Sequence, residues 1–212
     1  MIEIKTLIFN PFQENTYILY DETKEAIIID PGCFSGNEEE ILDNFILENG
    51  LKPVRLLNTH CHIDHILGNR YVSNRYELKL EAHKGDEFIA KAAQQHGISF
   101  GIQMPEPAPD IDVYLNEGEQ IKFGNSVLDI VHVPGHSPGS IVFYNQKEGF
   151  MIVGDVLFND SIGRTDLPGG DYDLLASGIK GKLFPLGDDM KVYPGHGPYT
   201  TIGKERRSNP FL

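Results

Sequence analysis

The chain of 212 residues is acidic, carrying 18 Lys and Arg against 31 Asp and Glu for a formal net charge of −13. That sign repels phosphate backbones and no local basic patch offsets it, so no nucleic-acid partner is expected. No apolar run approaches the ~18 residues of a membrane span, and two cysteines, Cys33 and Cys61, are too few for a disulfide framework.

Met1–Asn10 alternates as a strand does, with an acid at position 3 instead of the basic head of a signal peptide, so a cytoplasmic protein is expected. Strands follow at Asn15–Tyr20 and Ala26–Asp30, the latter closed by Pro31-Gly32. Asn37 before three glutamates reads as a helix cap, Ile41, Leu42, Phe45 and Ile46 as its apolar stripe, and Gly50 as its stop. Val54–Leu57 is a buried strand, Leu78–Ala82 a strand, Asp86–His96 a helix, and Gly97–Asp110, with three prolines, a loop. Strands then recur at Gln120–Phe123, Val127–Val133, Ile141–Tyr144 and Phe150–Val153. A helix over Tyr172–Leu183, a strand at Lys191–Tyr193 and a short helix from Ile202 complete the chain. Strands come in runs, with helices between and after them. The expected class is therefore α+β, two sheets sandwiched between outer helices, in a single domain over 1–212.

Five of the eight histidines fall in three segments that end predicted strands: T-H-C-H-I-D-H at 59–65, P-G-H-S-P-G-S at 134–140 and P-G-H-G at 194–197. A fourth segment, M-I-V-G-D, ends on Asp155. In extended chain, residues two apart point the same way, so His60 and His62 can grip one ion, while Asp64 and His65 follow a turn and face another point. Imidazole and carboxylate together suit zinc, manganese or iron. Seven donors exceed one four-coordinate ion. Two divalent ions sharing one carboxylate use all of His60, His62, Asp64, His65, His136, Asp155 and His196. Cys61 alternates away from its neighbours and reads as a small buried side chain. His83, His96 and His132 read as ordinary hydrated polar groups.

With these segments in this order, the chain resembles the metallo-β-lactamase-fold hydrolases, and among them short proteins similar to glyoxalase II (hydroxyacylglutathione hydrolase). The resemblance also rests on G-R-T-D-L-P-G-G-D at 163–171. It implies an αββα sandwich of two mixed sheets, with His60, His62 and His136 on one ion, Asp64, His65 and His196 on a second, and Asp155 bridging. It further implies hydrolysis of a thioester of the S-2-hydroxyacylglutathione (S-D-lactoylglutathione) class by a bridging hydroxide, with Asp64 and Asp155 catalytic. Arg164 stands where the family places a cationic glutathione contact, the alternative being an ion pair with Asp166 or Asp171. Tyr199 lies beside the place of the family's usual tyrosine, where this chain has Pro198. The family's helical glutathione-binding domain has little room in the sixteen residues after His196. A mononuclear-iron persulfide dioxygenase and a lactonase share the fold and stand as alternatives.

Overall fold

The structure is a computed structural model and describes residues 1–104 and 106–212; Pro105, in the expected proline-bearing loop, lies outside the described residues. Strands β1 (Glu3–Phe9), β2 (Glu14–Tyr20), β3 (Glu25–Ile29), β4 (Lys52–Leu57), β5 (Leu80–Ala82) and β6 (Val113–Tyr114) form the first sheet in chain order. The β1–β2 and β2–β3 pairs are antiparallel and the remaining three parallel, so the sheet is mixed. The second sheet uses β7 (Gln120–Phe123), β8 (Ser126–His132), β9 (Ile141–Asn145), β10 (Phe150–Gly154), β13 (Lys191–Pro194) and β14 (Thr200–Thr201) in the order β14-β13-β10-β9-β8-β7. It too is mixed, with a parallel β10–β13 pair among antiparallel ones. The small hairpin of β11 (Leu157–Phe158) and β12 (Ser161–Ile162) stands apart.

Strand alternation sorts the apolar side chains into layers. Tyr17, Leu19, Ile27 and Ile29 face inward onto Phe123, Leu128, Ile130 and Phe143 of the other sheet. Their neighbours Ile18, Ala26 and Ile28 face outward against Leu42 and Ile46 of α1 (Gly36–Glu48), and Val72 of α3 (Asn69–Tyr76) joins them. On the far side Val142, Met151, Val153 and Val192 meet Leu175 of α5 (Tyr172–Gly178), Ile179 and Leu183 just beyond it, and Ile202 of α6 (Ile202–Ser208). Both sheets are covered on both faces, which is the four-layer αββα arrangement expected. No helix among the described residues is long and apolar enough to cross a membrane.

Several boundaries move for local reasons. The cap of α1 is Ser35, not Asn37: its hydroxyl accepts from Glu38 N while the Glu38 carboxylate accepts from Ser35 N, a reciprocal arrangement that starts the helix two residues earlier. The expected helix over Tyr172–Leu183 is α-helical only to Gly178 and widens to a π turn over Ile179–Leu183. α4 (Glu87–Ser99) runs three residues past His96 into the expected loop. β6 was not legible, since its two exposed residues show no periodicity.

The two sheets are also stapled by polar groups. At the end of β2, Asp21 accepts from Thr23 N and Oγ1 (3.0 and 2.5 Å) and, across the sandwich, from Asn125 N and Ser126 Oγ (2.8 and 2.7 Å). Burial pushes its pKa up, but these donors outweigh burial and hold the carboxyl at about 2. Because the folded value lies below the ~3.9 of an unfolded aspartate, this stabilisation is complete above that value and is lost as pH falls toward 2. Asp21→Asn is expected to lower stability by about 1–2 kcal/mol at neutral pH. The gap from the parent protein, read by urea denaturation, should narrow below about pH 4; a gap independent of pH would remove the charge of Asp21 from the account.

Candidate metal centre and active-site pocket

Four strand ends deliver the donors to one edge of the sandwich. His60 and His62 follow β4, Asp64 and His65 lie in α2 (Ile63–Ile66), His136 follows β8, Asp155 follows β10 and His196 follows β13. The first group forms around His136 Nε2, which lies 2.7 Å from His62 Nδ1 and 3.2 Å from His60 Nε2. In the second, Asp64 Oδ2 lies 3.1 Å from His196 Nε2 and 3.8 Å from His65 Nε2. Each trio keeps its donor atoms within 4.8 Å of one another. Asp155 stands between them: Oδ1 is 3.4 Å from His65 Nε2, while Oδ2 is 3.6 Å from both His136 Nε2 and His196 Nε2. All seven expected donors thus converge.

The imidazoles are oriented from behind. His136 Nδ1–H donates to the Arg164 carbonyl (2.8 Å) and His196 Nδ1–H to that of Phe12 (3.1 Å), leaving each Nε2 lone pair facing the centre. His65 Nδ1–H donates to Asp30 Oδ2 at 3.2 Å. The same carboxylate accepts from Thr59 Oγ1, whose oxygen lies 3.1 Å from His60 Nδ1. Asp30 therefore fixes one histidine directly and another through a hydroxyl, and Asn58 Nδ2 ties it to the His65 carbonyl. Asp86 does the equivalent for the loops: its carboxylate accepts from Cys61 N, Ser137 Oγ and Gly139 N, clamping the 59–65 and 134–140 segments together. Glycine is required where these segments crowd. A Cβ on Gly195 would strike Asp155 Oδ1 and His65, and Gly154 combines φ +52 with the approach of Thr59.

The donor chemistry fits divalent cations. His65 Nε2 and Asp155 Oδ1 are buried, adjacent and without a hydrogen-bond partner, a costly pairing unless a cation lies against both. Burial, followed by the charge of neighbouring histidines, pushes His60 well below the usual imidazole range, and burial takes His62 to about 3. Burial would raise Asp155 and Asp64, but the surrounding histidines outweigh it and hold both ionised. For His65 the carboxylates Asp64 and Asp155 outweigh burial and draw positive charge to the site. Neutral His60 and His62, ionised carboxylates, and upward shifts at His65 and at His196, where the bond to Asp64 outweighs burial, together mark a site that calls for positive charge.

The centre forms the floor of a cavity of about 440 Å³. Phe12, Phe88 and Ile89 of α4 and Phe100 just past its end wall it, together with Leu167 of the 163–171 segment. Arg164 lines the cavity and is held bidentately by Asp166 (2.7 and 2.6 Å), the ion pair expected as the alternative to a substrate contact. Tyr199 is outside the lining; its ring leans on Tyr193 at 6.1 Å because Pro198 places it one position further along. Cys61 is buried with Ile63 and Ile66, away from the donors, as its alternation indicated. His96 is exposed, as a hydrated group would be, and also lines the cavity. His83 and His132, read as separate hydrated groups, stack on one another at 4.1 Å. Asp30 and Asp86 were missed as site residues. The one sequence signal for Asp30 is an aspartate ending a β-branched run before Pro-Gly, and Asp86 offered none.

Comparison with known proteins agrees with this geometry. The model of the metallo-beta-lactamase superfamily matches residues 9–196, a range that holds all seven donors. Hydroxyacylglutathione hydrolase GloC of Haemophilus influenzae is 38% identical, the alignment covering 100% of this chain and 98% of the relative. BLEG-1 B3 metallo-beta-lactamase superposes with a TM-score of 0.87 at 38% identity, over 100% of this chain and 99% of that one. TTHA1623, solved in a di-iron-bound form, gives a TM-score of 0.86 at 36% identity, over 99% of this chain and all of the other. On fold, donor geometry and whole-chain similarity, the chain belongs to the metallo-beta-lactamase superfamily.

Proposed function

We propose that the protein is a thioester hydrolase acting on S-2-hydroxyacylglutathiones. The observation that carries the reading is the position of Asp155, whose carboxylate lies within reach of donors from both trios at the floor of the cavity. His60, His62 and His136 would hold one divalent cation, Asp64, His65 and His196 a second, with Asp155 shared. Zinc, iron and manganese all suit these ligands, and the di-iron form of TTHA1623 supports iron. Such cations supply Lewis acidity and lower the pKa of bound water toward ~7, making a nucleophile available at neutral pH.

The remaining work falls to the chain. Asp64 and Asp155, both ionised, can accept a hydrogen bond from an attacking water and fix its direction. Phe12 and Phe100 restrict bulk water at the cavity wall. Arg164 offers N–H donors to a carboxylate of the tripeptide, in competition with Asp166. A thiolate leaves without a strong general acid, consistent with the absence of a lysine or tyrosine in the lining among the described residues. The relationship to GloC supports glutathione as the carrier.

Protein purified without added metal is expected to carry two divalent ions per chain and to cleave S-lactoylglutathione. A single iron with oxygen consumption on glutathione persulfide would overturn the reading. Asp155→Asn should lower turnover by about 10²-fold or more and reduce the metal content, with the far-UV circular dichroism unchanged. Arg164→Ala should raise KM about three- to tenfold with little change in kcat, a loss of one exposed charge-assisted contact. An unchanged KM would assign the guanidinium to Asp166 alone.

A further inference from the structure

The walls of the cavity differ in chemistry from its floor. Above the donors, Phe12, Ile63, Phe88, Ile89, Phe100 and Leu167 line it with carbon. Phe12 and Phe100 meet edge to face at 6.1 Å, giving one continuous aromatic surface. Phe88, on α4, and Phe100, the residue that caps its end, are each 50% exposed although both line a cavity of about 440 Å³. The permanent positive charge in the lining is Arg164, and Asp166 already neutralises it. Polar side chains lining the cavity above the floor are His96, Ser99 and Arg164 among the described residues.

A lactoyl group ends in one methyl and would leave most of that carbon facing water. We infer that the apolar wall holds the side chain of the acyl group, so the preferred substrates are 2-hydroxyacyl thioesters with an aliphatic or aryl side chain larger than methyl. The inference rests on the thioesterase reading and specifies its substrate. The reaction keeps its balance whatever the side chain. Water adds to the carbonyl carbon, the C–S bond breaks, the acid leaves with the new C–O bond, and the thiolate takes up the proton released. The wall adds binding: each methylene moved from water onto carbon favours association about threefold to fourfold, provided the site is open to receive it. Half-exposed Phe88 and Phe100 are open in this sense, since they lose water only when something apolar covers them.

The test compares S-lactoyl-, S-2-hydroxyhexanoyl- and S-mandeloylglutathione on the metal-loaded enzyme, with the carrier held constant. The two larger esters are expected to exceed the lactoyl ester in kcat/KM by about tenfold or more. A second readout needs no turnover. By calorimetry, the uncleavable thioether S-hexylglutathione should bind about tenfold or more tightly than S-methylglutathione. Phe88→Ser and Phe100→Ser should each shrink both ratios, and their half-exposed positions leave the fold intact in a melting experiment. Equal kcat/KM across the three esters would overturn the inference while leaving thioester hydrolysis standing. Failure to cleave any of them would overturn both.

Discussion

Everything at the working edge of this protein depends on Asp155 and His65 being buried face to face, 3.4 Å apart, with an oxygen and a nitrogen that no protein group satisfies. Protein interiors rarely tolerate such a pair, because each atom forfeits its water and keeps only an attraction to the other in place of a hydrogen bond. Here the strain cannot relax. Gly195 brings backbone against both side chains, and Asp30 holds the far nitrogen of His65. The site is built to lack positive charge, and the cost is met by what binds there.

The fold explains how so costly an arrangement is supported. Each sheet is apolar on both faces, so neither can slide in register without exposing one full set of side chains. Strand ends are consequently rigid platforms. Tyr17 OH donates to the Pro194 carbonyl at 2.6 Å and Asn15 Nδ2 to those of Pro194 and Gly197, tying the start of β2 to the segment that carries His196. Asp86 performs a similar service between the His62 and His136 loops. Loops that would otherwise be mobile are thereby fixed by buried carboxylates acting on backbone N–H groups, which are strong bonds when water is excluded.

The electrostatics separate two scales. The molecule as a whole is strongly negative, yet its reactive centre draws cations, and the two facts agree at close range: ionised Asp64 and Asp155 create the demand that divalent ions satisfy. Over longer distances, salt at ~0.15 M screens the surface beyond about 8 Å, so the field at the site is set mainly by groups nearby. With Arg164 paired to Asp166, the cavity wall adds little net charge beside its carbon.

The amino-acid order alone determined the seven donors and the layered class. Ligand spacing is local, two residues apart on extended chain or one turn into a helix, and the alternation of apolar residues is local as well. The longer strands and most helices were legible to within a few residues for the same reason, whereas α3 and the two-residue strands were not. Where they shifted, as at Ser35, a reciprocal side-chain cap decided the boundary. Tertiary structure alone decided which donors share a cation-sized space and that Asp30 reaches two histidines at once. It also made a cavity wall of α4 and gave Tyr199 a place against Tyr193 outside that cavity. Those outcomes depend on distances between segments more than a hundred residues apart, as Asp64 and His196 are. No periodicity encodes them, and they exist only once the two sheets have closed on their shared core.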